Sequence, residues 1–222
     1  AGRSCKAESN AIYLTPGNMA YCVGMQDGSF PDMGGHIEKE MGGLWANPIK
    51  ICDGFEFSVV LNSKRSVLSV ADEYTTFPYG NKFTYPNVAP GLEIERLQFI
   101  PDDESGMIVT YTLNNRSDSE LALKADFSIR FDLRPSWYSE PKGYHDSHDC
   151  LVDTGFDSSV AARDLDSGWS AVCISSHESY PVEYAPAGLE TAGLGCTATL
   201  ESNLVIPSHG SMTLHFAISG SE

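Results

Sequence analysis

Two stretches of the 222-residue chain gather side chains capable of chemistry. The first reads as one long packed-down loop from Gly24 to Gly54 and sets His36, Glu40, Trp45 and Asp53 among paired glycines, with Phe30 nearby. An indole face stacks on the C–H groups of a pyranose while carboxylates hold its hydroxyls, so these residues form a sugar-binding set. Trp45 also suits a second role, as a core anchor flanked by glycine turns. The second stretch, Trp137 to Asp149, adds Tyr138, Glu140, Tyr144, His145, Asp146 and His148. His145 and His148 with Asp146 and Asp149 are metal donors by type. On a loop, however, their spacing sets no geometry and no third ligand follows. This stretch reads as a solvated acidic loop whose aromatics, Trp137 and Tyr138 among them, shield the end of the preceding strand. Neither a metal nor a cofactor is expected.

Other chemistries fall away. No GKS or GKT follows the glycines, and there is no GxSxG elbow. None of the six cysteines forms a CxxC pair. Thirty acidic residues make an acid/base pair easy to supply, but no neighbour marks one out, so no catalytic residue is assigned. A net charge of −16 repels phosphate, which argues against nucleic acid as a partner. No apolar run approaches the roughly 20 residues of a membrane span. The cysteines allow disulfides, or serve as small buried hydrophobes, as Cys173 does by its apolar neighbours. Asn115-Arg116-Ser117 is a glycosylation sequon. The expected setting is extracytoplasmic, periplasmic or secreted, with the cytoplasm as the alternative. The start at Ala1, without Met or an apolar leader, fits a processed chain or a piece of a longer one.

Period-two alternation supplies the elements that must hold these groups. Leu121, Leu123, Ala125, Phe127, Ile129, Phe131 and Leu133 take one phase of a long strand, with Lys124, Asp126, Ser128, Arg130 and Asp132 on the other. Phe55–Leu61, Met107–Leu113 and Met212–Ile218 repeat the pattern. Leu92 and Ile94 occupy one phase but Leu97 and Phe99 the other, which predicts a β-bulge near Glu95-Arg96. Turn residues fill the gaps at 101–106, 114–119 and 207–210. No segment has a helical period. The expectation is all-β with little helix: one large antiparallel two-sheet sandwich over residues 1–222, supersandwich-like.

The run Gln26-Asp27-Gly28-Ser29-Phe30-Pro31-Asp32, continued by Gly34-Gly35-His36, Glu40 to Trp45, Pro48-Ile49-Lys50 and Asp53-Gly54-Phe55, resembles the N-terminal domain of bacterial glycogen-debranching-type glycoside hydrolases. A second block is similar, from Val109 to Ser117 and on to Phe131-Asp132-Leu133-Arg134-Pro135-Ser136-Trp137. The resemblance implies a sandwich that buttresses a separate (α/α) toroid carrying the catalytic acids. No toroid is legible in these residues, so the chain is expected to be the accessory, non-catalytic, N-terminal part of a longer polypeptide. Its implied partners are its own C-terminal catalytic domain and an α-glucan oligosaccharide. His36, Glu40, Trp45, Asp53, Trp137 and Tyr138 are the candidate sugar-facing or interdomain residues. The competing readings are a purely structural, docking or carbohydrate-binding sandwich, and a small sugar-modifying enzyme using His145 or His36 with a carboxylate.

Overall fold

The computed structural model describes residues 2–34, 38–136, 143–186, 189 and 193–221. Among the described residues there is no α-helix. The first strands are β1 (Arg3–Lys6), β2 (Ile12–Pro16), β3 (Tyr21–Met25), β4 (Gly43–Ala46), β5 (Ile49–Leu61) and β6 (Lys64–Val67). β7 (Glu73–Phe77), β8 (Gly80–Ala89), β9 (Leu92–Phe99), β10 (Gly106–Asn115) and β11 (Leu121–Phe131) follow. The chain continues through β12 (Asp149–Val152), β13 (Ser159–Asp164), β14 (Ser170–Ser175), β15 (Tyr180–Val182), β16 (Cys196–Ile206) and β17 (Ser211–Ser221). One sheet has nine strands in the order β1-β7-β8-β9-β10-β17-β14-β13-β12. The other has eight, ordered β15-β16-β11-β5-β4-β3-β2, with β6 also pairing β5. All pairings between these strands are antiparallel. The two-sheet sandwich read from the alternation is the fold.

The oily phases of both sheets meet in one core. Phe57 of β5 stacks on Tyr111 of β10 with centroids 4.0 Å apart, and Phe127 of β11 stacks likewise on Phe216 of β17. Burying each such ring contributes roughly 1.5–3 kcal/mol, which is why these alternating runs cannot remain single sheets.

Three expectations change. The Gly24–Gly54 stretch is not one long loop, because β4 and the start of β5 lie inside it and Phe30 is core. There is no bulge at Glu95-Arg96: β9 keeps an unbroken register with β10, and the irregularity of β8–β9 lies between Tyr85 and Ala89. The strand stays regular by burying Arg96 and Gln98 while Leu97 and Phe99 turn outward. Asn115 cannot carry a glycan in this fold. It is buried, and its amide donates to the carbonyls of Ser119, Ile206 and Pro207. The described cysteines are free thiols, and Cys22, Cys52 and Cys173 are core residues.

Candidate functional site

Three of the six candidate residues converge. Glu40, Trp45 and Asp53 meet at the end of the sandwich where β5 begins and β11 ends; His36, Trp137 and Tyr138 lie outside the described residues. Two irregularities make the convergence possible. Opposite β4, Cys52 pairs with Leu44 and Lys50 with Trp45; opposite β11, Gly54 pairs with Arg130 and Cys52 with Phe131. Ile51 and Asp53 are therefore extra residues, two bulges in a row. In a regular strand, residues three apart point to opposite faces. The bulges re-aim them, and Lys50 Nζ reaches Asp53 Oδ1 at 2.5 Å.

Lys50 is the centre of the cluster. Its ammonium also donates to Glu40 Oε2 at 2.9 Å and to the Glu40 carbonyl at 3.0 Å, and it lies 3.6 Å from Asp132 Oδ2. All four side chains are at most 2% exposed. Arg130 bonds the second Asp53 oxygen at 3.1 Å and the Gly193 carbonyl, while Arg134 lies 3.8 Å from Glu40. The segment after β11 is zipped to β5 by backbone bonds from Lys50 to Arg134 and from Ser136 to Pro48. Gly193 closes the site, since a Cβ there would sit 2.2 Å from Asp132 Oδ1. Trp45 is 1% exposed, with its ring stacked beside Tyr21 and the Lys50 ammonium 5.5 Å from its centroid. Glu40, Trp45 and Asp53 thus have no surface to offer a sugar in this structure.

Burial alone would lower the Lys50 ammonium, but Asp53, Asp132 and Glu40 outweigh it and hold it above the ordinary lysine value. Asp132 moves the other way for a carboxylate. Burial, reinforced by Asp53, raises it well above 3.8 against the pull of Lys50. Burial also raises Asp146, and it lifts Asp149 to about 7 even though Asp149 accepts a bond from the Leu133 N–H at 2.7 Å. Ligand atoms of Glu40, Asp53 and Asp132 lie within 4.8 Å of one another, a hard-cation donor set by type. The Lys50 ammonium stands among them in that cation's place. The arrangement is a clamp. It joins the 38–46 segment, the start of β5, the end of β11 and the turn at 193.

A second polar grouping was hidden in the sequence as the wet phase of β5 and β11. Arg65 of β6 bonds Ser58 at 2.7 Å and pairs with Asp126, and its guanidinium lies 3.9 Å over the Tyr184 ring. Tyr184 Oη donates to Glu56 Oε1 at 3.5 Å, and burial raises Glu56. The segment after β15 lies across this face, Thr199 donating to the Tyr184 carbonyl at 2.6 Å. Asp126 and Ser128, which alternation marks as wet, are consequently buried, together with Ser58 and Thr199. His145 and His148 are exposed. Among the described residues the histidine–carboxylate pair is His209 with Asp118, on exposed turns at 2.9 Å.

No family model matches the chain, and no curated protein matches it in sequence. Solved structures do share its fold. A protein named as an aldose 1-epimerase from Escherichia coli K12 superposes with a TM-score of 0.58 at 7% identity, covering 95% of this chain and 99% of that one. A galactose mutarotase-like protein from Lactobacillus casei gives 0.56 at 8% identity, covering 95% and 100%. A protein named as a kojibiose phosphorylase from the human microbiome gives 0.54 at 8% identity over 94% of this chain. The chain spans 29% of that larger protein's length. At such identities the likeness is one of fold: a β-sandwich of the kind found in sugar-related proteins.

Proposed function

We propose that this chain is a non-catalytic β-sandwich domain of a larger carbohydrate-active enzyme of glycogen-debranching type. In this reading it buttresses a separate helical catalytic domain and contributes a wall of its sugar cleft. One observation carries the reading. The two sequence blocks that resemble such N-terminal domains supply, respectively, Glu40, Lys50 and Asp53, and Asp132 and Arg134, and these close on one another in the clamp. The acidic groups there brace loops rather than face a substrate. The similarity to a fraction of a larger phosphorylase-named protein is in keeping with this. The purified chain should hydrolyse or phosphorolyse no α-glucan, and maltooligosaccharides should move its Trp fluorescence only at millimolar concentrations. Turnover of any glucan by the chain alone would overturn the proposal.

A second reading is favoured by the end-to-end match with the epimerase-named protein, which has nearly the same extent. It makes the chain a stand-alone aldose-converting enzyme with Glu56 and Tyr184 as its acid/base pair. Polarimetry of freshly dissolved aldoses separates the two. Mutarotation no faster than in buffer supports the accessory domain, and acceleration lost in Glu56→Gln supports the enzyme.

A further inference from the structure

The clamp accounts for one buried cation, and a second lies deeper. Arg96, on the inward face of β9, is 3% exposed between the two sheets. Its guanidinium lies 3.8 Å from the Phe83 ring centroid and 5.3 Å from that of Phe55, and Nη1 donates to the Gly28 carbonyl at 3.0 Å. Nε and Nη2 have no hydrogen-bond partner, nor does the buried Tyr85 hydroxyl. Withholding partners from a buried guanidinium is expensive.

The identity of the two free nitrogens is informative. Nε and Nη2 lie on one edge of the guanidinium, the fork that matches the two oxygens of a carboxylate. Gly28, at φ +94°, has no side chain, and the Tyr85 hydroxyl occupies the place of its Cβ, 2.2 Å from that position, with Arg96 Nη2 3.4 Å away. A cavity of about 130 Å³ adjoins it, lined by Gly28, Phe30, Phe55, Glu56, Arg96 and Tyr111. Burial raises the Tyr111 phenol, which stands beside Arg96 on the cavity wall. The nearest acids do not fill the fork. Asp27 spends Oδ1 on the Ser29 N–H and hydroxyl, and Glu56 lines the cavity without pairing to Arg96.

We propose that this cavity binds a small carboxylate, gripped side-on by Arg96 Nε and Nη2. A dry cavity of roughly 150 Å³ accepts benzene, so this one suits an acid of about two to four carbons whose alkyl part rests on Phe30 and Phe55. The inference stands apart from the accessory-domain reading and survives its failure.

The test uses the whole chain with sodium acetate and sodium propionate at constant ionic strength, and sodium chloride as the control. Each tenfold excess of carboxylate above its Kd should raise Tm by about 3–5 °C, and the Arg96 Nε–H resonance should shift as the site fills. Chloride should do neither. Arg96→Met should abolish the carboxylate response, and Arg96→Lys, which keeps the charge but loses the fork, should weaken it about tenfold. Should Arg96→Met not fold, the Arg96→Lys titration and the Nε–H resonance decide. An equal response to chloride, an undiminished response in both variants, or a stationary Nε–H resonance would overturn the proposal.

Discussion

Two cations are sealed inside this sandwich, and they are handled in opposite ways. Lys50 sits among three carboxylates at the end of the sheets, while Arg96 sits among aromatic rings in the middle with a backbone carbonyl as its hydrogen-bond acceptor. Chemistry explains who goes where. A compact ammonium is strongly hydrated and shifts its pKa when buried, so it requires charge partners. A guanidinium is weakly hydrated and spreads its charge over a plane that rests on ring faces. The Lys50 ammonium donates to two carboxylates and a carbonyl, whereas two nitrogens of Arg96 have no acceptor.

That contrast breaks first at Lys50. Lys50→Met strands Glu40, Asp53 and Asp132 without their counter-ion and should destabilise the chain by about 3–5 kcal/mol, read from urea unfolding midpoints. A loss below about 1 kcal/mol would mean that the clamp is ornamental. The next largest effect is on pH dependence. Carboxyls raised in the folded state hold protons that the unfolded chain has already released. With Asp149 lifted from 3.8 to about 7 and Asp132 and Asp146 raised alongside, stability should therefore be highest near pH 4 and fall as pH rises towards 7. That slope is opposite to the one acidic proteins commonly show. Asp149→Asn, whose amide oxygen can still accept from Leu133, should flatten it and raise Tm at pH 8 by about 2–4 °C after allowance for solvent screening. A Tm that climbs between pH 4 and 7 would contradict the burial of these groups. The smallest effect belongs to Arg96→Met in carboxylate-free buffer. Release from desolvation offsets the lost ring contacts and the bond to Gly28, leaving stability within about 1 kcal/mol of the parent. If it instead costs as much as Lys50→Met, the two sites are alike after all.

Legibility followed the same divide. The strands of the core, including Leu121–Phe131 and Met107–Leu113, stand in the amino-acid order because each obeys its own alternation. The candidate residues Glu40 and Asp53 were visible by type, but their service to Lys50 was not. Nothing in the sequence marks Lys50 out, and only two successive bulges bring it onto Asp53. Arg96 was misread for an instructive reason. Treating every polar residue as wet made a bulge the economical way to bury Leu97 and Phe99, whereas the strand stays regular and buries Arg96 and Gln98 instead. Gln98 survives there by donating to Thr15 Oγ1 at 2.6 Å, within a buried chain through Asn81 to Tyr74, partners that no local pattern announces.

By itself, then, the amino-acid order determined the strands, the oily and wet phase of most of them, and the stacking of two antiparallel sheets. Side-chain alternation is a property of each strand alone. The tertiary structure decided which charges go inside and who meets them. Glu40, Lys50 and Asp53 meet Asp132 from a distant strand, and Arg96 rests on rings and a carbonyl supplied by other parts of the chain. Hydrophobic pattern is read along one strand, but the neutralisation of a buried charge is settled across the space between strands.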